Sequence, residues 1–275
     1  MPSRTTPAGT APSGTAADRP KERKTASRQR QISDLVLARG SISAQDLVDE
    51  FDVSLMTVHR DLDELEKRGV LRKVRGGVTA QPSSVFEALM PYRLSAMADE
   101  KQRLAEFALR YVEPGMSLML DDSTTVLKMI PGLAGIIPLH VATNFLAGLK
   151  LLAEQPDTRL IAIGGDYDPA HDSFQGIQAI EAIDSIQADA LFMSTSALSP
   201  THAFHQEERI VAFKRAMISS STKRYLLVDH SKLDRVALHR VAALSEFDVV
   251  ITDSAADPQA VDALMAAGIT VEVVP

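Results

Sequence analysis

Val53-Ser54-Leu55-Met56-Thr57-Val58-His59-Arg60-Asp61-Leu62, continued by Leu65-Glu66-Lys67-Arg68-Gly69-Val70-Leu71-Arg72-Lys73-Val74-Arg75-Gly76-Gly77, is the stretch that decides the fold. Ser54 is suited to cap a helix, and Val53 and Val58 hold the hydrophobic-staple positions around it. Val58, Leu62 and Leu65 then recur at helical spacing until Gly69 stops the pattern. Immediately upstream, Ser43 caps a shorter helix. Asp46 is its capping-box partner, Ile42 and Leu47 form the staple, and Leu47, Val48 and Phe51 make the buried face. The turn Asp52-Val53 joins the two helices. Further upstream, Arg28–Ala38 places Ile32, Leu35 and Val36 on one face before Gly40. Downstream, two short alternating runs flank Gly76-Gly77, a hairpin signal that carries Arg72, Lys73 and Arg75. Three short helices and a basic hairpin predict a winged helix-turn-helix over residues 28–80.

That unit is suited to DNA. The first turns of the third helix expose Leu55, Met56, Thr57, His59 and Arg60 opposite the apolar stripe, where a recognition helix meets base edges. The candidate DNA-binding residues are Ser54, Met56, Thr57, His59 and Arg60 on the helix, with Arg72, Lys73 and Arg75 on the wing. Arg60 suits guanine O6/N7 or a phosphate, and the wing cations suit phosphates or the minor groove. Asp61, Asp63, Glu64 and Glu66 repel phosphates and are expected along the flank or turned away. A protein-binding winged domain is the competing reading, and salt dependence separates the two.

Outside this stretch the chain changes character. Its 275 residues suit two domains. Net charge is −7, yet residues 1–80 hold 14 Lys and Arg against 11 Asp and Glu, while residues 81–275 hold 15 against 25. DNA contact must therefore come from a small basic surface on an acidic body. The absence of cysteine excludes disulfides, thiolate zinc sites and a cysteine nucleophile. No stretch approaches the roughly 18–20 apolar residues of a membrane helix, and no secretory h-region is present, so a cytoplasmic protein without a membrane partner is expected. Residues 1–27 lack large apolar side chains and read as a disordered tail ending in Lys21, Arg23 and Lys24. Residues 81–95, with Pro82 and Pro91, read as a linker whose Phe86 and Tyr92 could dock on the larger domain.

Residues 96–275 alternate strand-like and helical patterns. Strands are expected at Ser117–Leu120, Leu139–Thr143, Arg159–Ile163, Ala190–Ser194, Tyr225–Asp229, Val249–Thr252 and Thr270–Val274. Helical stretches include Lys101–Tyr111, Thr124–Ile130, Asn144–Ala153 and Glu207–Ser219. This predicts an α/β domain with a mostly parallel sheet covered on both faces.

Ligands of such sheets bind beyond the carboxyl ends of the strands. There stand Asp121, Asp122, Ser123, Thr124 and Thr125, opening a helix whose free N–H groups suit a phosphate. Thr143-Asn144, Gly164-Gly165 and Asp229-His230-Ser231-Lys232 end other strands, and Lys214 lies in a nearby helix. Asp121, Asp122, Ser123, Thr124, Thr125, Asn144, Gly164, Gly165, Lys214 and Lys232 are the candidate effector residues. Together they suit a phosphorylated polyol. His202-Ala203-Phe204-His205-Gln206-Glu207 has loose metal-like spacing without a third ligand. A ligand-facing loop with Gln206 or Glu208 turned inward is the expectation there. No Gly-x-Ser-x-Gly elbow, P-loop or Gly-x-Gly-x-x-Gly occurs, and no cofactor or metal is expected.

The helix-turn-helix and wing stretch resembles the signature of the DeoR family of bacterial transcriptional regulators. The same family order is met by Glu100-Lys101, Asp121–Thr125, Thr143-Asn144, Gly164-Gly165, Gly176, Lys214-Arg215-Ala216-Met217, Asp229-His230-Ser231-Lys232 and Asp248–Asp253. The resemblance covers about residues 28–255. It implies a sensor domain similar to ribose-phosphate isomerase and glucosamine-phosphate deaminase folds, a sugar-phosphate effector, action as a homo-oligomer (dimer or tetramer), and repression of sugar or polyol catabolism genes. Two departures fall on the presumed crevice: Ser123 stands where the family commonly has Gly, and Ser196-Ala197-Leu198 contains no Gly. They point to a changed phosphate grip or an unusual carbohydrate. The rival reading is a sugar-phosphate isomerase or deaminase fused to a DNA-binding domain, with Asp121 or Asp122 as general base.

Overall fold

The computed structural model describes residues 20–39, 41–67, 71–80 and 90–275. They fall into two compact units that part between residues 83 and 84.

The first unit is three helices and a three-stranded sheet. Helix α1 spans Pro20–Arg39, strand β1 Ser41–Ser43, α2 Ala44–Phe51 and α3 Leu55–Lys67. Strands β2 (Leu71–Val74) and β3 (Gly77–Ala80) form the hairpin, and β1 pairs with β3 to give the order β1-β3-β2. Helix α1 begins before the expected Arg28. Pro20 at its start, followed by Lys, Glu, Arg and Ala, is favourable helix sequence, so residues 20–27 are helical rather than tail. Residues 1–19 of the expected tail lie outside the described residues. The capping box forms as the sequence implies: Ser43 Oγ accepts from Asp46 N–H at 3.0 Å. Asp52 closes α2 in the left-handed region at φ 47°, which a short polar side chain tolerates. Ile32, Val36, Ile42, Leu47, Val58, Leu62, Leu65, Leu71 and Val78 make the core. Leu35, expected beside them, is only half-buried.

The turn of the hairpin is Arg75-Gly76, one residue earlier than the Gly76-Gly77 signal suggests, because Val74 pairs with Gly77. Gly76 supplies the positive φ of 84°. Gly77 has a different duty. A Cβ there would lie 2.4 Å from the Ile42 carbonyl oxygen, so its bareness is what lets β1 join the sheet.

The second unit is built on seven parallel strands. In chain order the strands are β4 Ser117–Leu120, β5 Leu139–Thr143, β6 Thr158–Ala162, β7 Asp166–Asp168, β8 Ser173–Gln175, β9 Ala188–Met193, β10 Ala197–Leu198, β11 His202–His205, β12 Ser221–Leu227, β13 His239–Ala243, β14 Val249–Asp253 and β15 Val271–Val274. The large sheet runs β15-β14-β12-β9-β4-β5-β6, and its seven members are the seven expected strands, β4 and β5 with the expected ends and the other five with ends shifted. The hairpin β7–β8 and the antiparallel sheet β10-β11-β13 have no counterpart in the sequence reading.

Alternation sorts the strands' side chains between two cores. Leu118, Leu120, Val141, Ala190, Phe192, Leu227 and Ile251 meet Leu104, Ala105 and Ala108 of the helix Ala98–Ala108. Met119, Ala142, Leu191, Met193, Leu226 and Val250 meet Ile183, Phe213, Met217 and Leu264 on the other face. Phe192 is fully buried and stacks on Tyr225 at 4.9 Å. Truncating such a residue to Ala costs about 3–5 kcal/mol.

From β4 the chain builds β5 and β6 outward on one side, then returns to place β9 on the other. The order therefore reverses between β4 and β9, and that switch point fixes where a crevice can open.

Candidate functional site

The exposed face of the winged unit is assembled from α3 and the hairpin. Met56 is 82% exposed, and Leu55, His59, Arg60, Arg72 and Arg75 are exposed as expected. Ser54 is occupied locally: its Oγ accepts from Thr57 N–H at 3.2 Å and lies 2.9 Å from Thr57 Oγ1. Two charged side chains have partners that the sequence did not indicate. Lys73 is not a bare wing cation, since its Nζ lies 2.6 Å from Asp63 Oδ1 and its backbone N–H donates to Glu66 Oε1 at 2.8 Å. Asp61 is turned away from the exposed face, one of the two placements expected for it. It is buried, with Arg28 Nε at 2.6 Å and Gln29 Nε2 at 3.1 Å, and it ties α1 to α3. Asp61 is thus buried against Arg28, while Asp63 stays exposed beside Lys73.

In the second unit a cavity of about 180 Å³ opens at the ends of β4, β9 and β12. Asp122, Ser123, Thr124 and Thr125 line it from the β4 end, Ser194–Ser196 from the β9 end, and Asp229, Ser231 and Lys232 from the β12 end. Lys214 reaches in from the helix Glu208–Ser219. Ser123 caps the short helix Thr124–Leu127, its Oγ accepting from Val126 N–H at 3.1 Å.

Asp121 takes a different part from that expected. It does not line the cavity. Its carboxylate accepts from Ser123 N–H at 3.0 Å, from Ser194 N–H at 2.9 Å and from Lys214 Nζ, and it is buried. It is the pin that joins the β4 end, the β9 end and the lysine. Asp122 beside it accepts from Ser173 Oγ at 2.8 Å. Burial pushes the Asp122 carboxyl up, but Lys214 and Arg93 outweigh burial and hold it below the ordinary range. A carboxylate spent on three donors and another held firmly ionised are poor general bases.

Three expected residues are not brought to the cavity. Asn144 is fully buried and donates from Nδ2 to the Phe174 carbonyl at 2.9 Å. Gly165 sits against β8, where a Cβ would lie 2.4 Å from the Gln175 carbonyl oxygen. Gly164 has nothing within 4 Å of the place a Cβ would take, and it does not line the cavity. The ends of β5 and β6 thus anchor the β7–β8 hairpin.

Several cavity residues carry no sequence signal of their own. Arg93 falls in the stretch expected as linker, but Met90–Ser95 is a helix that presents it. Its two terminal nitrogens donate to the Asp122 and His171 carbonyls, both at 3.2 Å, while its Nε is buried without a hydrogen-bond partner among the described residues. Phe86 and the Tyr92 side chain lie outside what the structure describes. Lys101 donates to the Arg93 carbonyl, and burial lowers its pKa to about 8. His171 is buried between Asp168 and Glu207. His205 accepts Glu207 N–H on Nδ1 at 3.2 Å, and burial together with Lys214 pushes its pKa down to about 3, so it is neutral. Gln206 and Glu207, not Glu208, turn inward. His202 Nδ1 lies 3.0 Å from Thr201 Oγ1.

The chain matches two family models in succession: the DeoR-like helix-turn-helix domain over residues 28–84 and the DeoR C terminal sensor domain over residues 96–254. It is 31% identical to the uncharacterized HTH-type transcriptional regulator YgbI of Escherichia coli K12, over 86% of this chain and 93% of that protein. It is 29% identical to the glycerol-3-phosphate regulon repressor of the same organism, over 84% and 92%. Among solved structures, ribose 5-phosphate isomerase A of Methanocaldococcus jannaschii aligns at 15% identity and a TM-score of 0.37, over 52% of this chain and 56% of that one. Among the described residues no helix is long and apolar enough to cross a membrane. With a winged helix-turn-helix and an α/β sensor domain matched in order, the chain belongs to the DeoR family of transcriptional regulators.

Proposed function

We propose that the protein is a cytoplasmic repressor of carbohydrate or polyol catabolism genes, that its winged unit binds operator DNA as part of a homo-oligomer, and that a phosphorylated sugar or polyol in the cavity releases it. The observation that carries the effector half is the cavity's lining. Cationic groups Arg93, Lys101, Lys214 and Lys232 share it with the hydroxyls of Ser123, Thr124, Thr125 and Ser231. Arg93 Nε and Gln206 Oε1 are buried there without hydrogen-bond partners among the described residues. An anion with several hydroxyl groups satisfies such a set. The name of the glycerol-3-phosphate regulon repressor points to the same ligand class. For release, the ligand needs only a higher affinity for the DNA-free state than for the operator-bound state.

The test is operator binding by fluorescence anisotropy, with and without sugar phosphates, polyol phosphates and their unphosphorylated parents. Operator affinity falls with one phosphorylated compound and stays constant with its parent. If no phosphorylated compound shifts either operator affinity or melting temperature, the effector half is wrong. The DNA half has its own check. Arg60→Ala lowers affinity and flattens the slope of log affinity against log salt by about one. Lys73→Ala flattens it less, because Asp63 already holds that lysine. Binding that ignores salt contradicts the assignment of helix and wing.

A further inference from the structure

His171, Asp168 and Glu207 form a group whose chemistry differs from the rest of the cavity. One ligand atom from each lies within 4.8 Å of the others. The His171 ring is almost completely buried, with 3% of its side chain exposed. Its Nδ1 lies 2.9 Å from Asp168 Oδ2, and the other Asp168 oxygen accepts Ala170 N–H at 2.9 Å. Asp168 is therefore fully used in aiming the ring. The second ring nitrogen is left over. Nε2 is buried, lies 3.1 Å from Glu207 Oε1, and makes no hydrogen bond of acceptable geometry among the described residues. Glu207 Oε1 sits beside Nε2 at a poor hydrogen-bonding angle, a disposition that also suits two ligands of one ion.

We propose that His171 Nε2 and the Glu207 carboxylate bind a divalent transition-metal ion at the edge of the cavity, with Asp168 as the positioning residue. A ligating imidazole held through its other nitrogen by a carboxylate is the usual arrangement of protein metal sites. The imidazole and carboxylate pair favours Zn²⁺ or Mn²⁺ over Mg²⁺ or Ca²⁺, which prefer all-oxygen shells. Ligand bonds of about 2.0–2.2 Å require neighbouring donors roughly 3 Å apart, close to the separation of Nε2 and Oε1. Glu207 is 41% exposed on its side chain and can make the small adjustment. Lys214 is paired with Asp121 and donates to the Ser194 carbonyl at 3.0 Å, and the two terminal nitrogens of Arg93 donate to carbonyls. His171 and Glu207 both line the cavity, so the remaining coordination positions face the space where a polyol's oxygen atoms would sit. The ion would also tie the β7–β8 hairpin, through His171, to the start of the helix that carries Lys214.

The site holds whether or not a phosphorylated polyol is the effector, and its test contains no sugar. The full-length protein is stripped with a chelator and titrated with Mn²⁺, with binding read by electron paramagnetic resonance of the free ion and by calorimetry with Zn²⁺. One ion binds per chain. Glu207→Gln, at a partly exposed position and so compatible with folding, weakens binding at least about tenfold, and Asp168→Asn weakens it by about 10–100-fold. His171→Gln abolishes it. No saturable binding to the folded parent overturns the proposal. So does binding of equal affinity in the parent and in Glu207→Gln, which would place the ion elsewhere on the chain.

Discussion

The two halves of the seven-stranded sheet end in similar residues and do different things with them. At β4, β9 and β12 the ends bring carboxylates, hydroxyls and lysines around a cavity. At β5 and β6 the ends bring Thr143-Asn144 and Gly164-Gly165, which are turned to holding a hairpin. The difference is topological. A crevice opens where successive connections leave in opposite directions, and in this sheet that happens between β4 and β9. Further out, at β5 and β6, the connection goes on to a hairpin that covers the strand ends. A polar residue at a strand's carboxyl end is therefore a ligand candidate where the strand end is left uncovered, as at β4, β9 and β12.

The sharpest way to break this comparison is to remove Lys214. Its Nζ serves Asp121 and lies 3.9 Å from Asp122 Oδ1, and all three side chains are buried. Lys214→Ala leaves two buried carboxylates without that cation, a change of about 3–5 kcal/mol. For a unit of this size the melting temperature drops on the order of 10 °C. Effector response is lost as well, which operator binding with and without ligand reads directly. A variant that melts with the parent would mean that Asp121 and Asp122 are not held by this lysine.

The other half predicts a stability loss with no effector phenotype. Gly165 has φ 147° and would drive a Cβ to 2.4 Å from the Gln175 carbonyl oxygen. Gly165→Ala is expected to destabilise by about 1–3 kcal/mol. The affinity of the cavity for its ligand stays within about twofold, since neither glycine lines it. Gly164→Ala is the control, expected within about 0.5 kcal/mol of the parent, because nothing stands within 4 Å of the added carbon. Isothermal titration and thermal melts of both variants separate the outcomes. A large affinity loss in Gly165→Ala with normal melting would return that glycine to the ligand site.

These cases also mark what was legible in the chain. The inner strands of the large sheet announced themselves, because a parallel strand buried on both faces is a nearly continuous apolar run such as Leu118–Leu120 or Ala190–Met193, and the half-buried edge strands were read from shorter apolar runs. The winged unit was legible for a second reason: caps, staples and turn glycines are local and agree with one another. The short pieces were not. The β7–β8 and β10-β11-β13 strands run for two to five residues each and, unlike the equally short strands of the large sheet, mostly carry polar residues that break an apolar run. The site was half legible. Asp122 through Thr125, Lys214 and Lys232 were found from position along the chain. The stretch carrying His205 was read as a ligand-facing loop, but Arg93 and His171 were not found, since each is a single residue that long-range packing carries to the cavity. The partners of Lys73 and Asp61 were not legible for a related reason: Asp63 and Arg28 stand on other elements.

His171 is the residue through which the quiet half reaches the active one. It sits between β7 and β8, beyond the β6 end, yet its ring lies against Glu207 at the start of the helix that carries Lys214. Burial pulls the imidazole's pKa down, but Glu207 and Asp168 outweigh burial and hold it above the ordinary value. The sign of the linkage follows. A histidine whose folded-state pKa is raised binds its proton more tightly in the folded protein. Its contribution to stability is complete below about pH 6.5 and is lost as pH rises through the folded-state value. In metal-free buffer the melting temperature is therefore expected to decline above about pH 6.5 by more in the parent than in His171→Gln. The difference is the smallest of those predicted, because the partly exposed Glu207 is screened by solvent. Parent and variant melting in parallel across that range would show that the two carboxylates do not hold a proton on His171, and would cut the link between the halves.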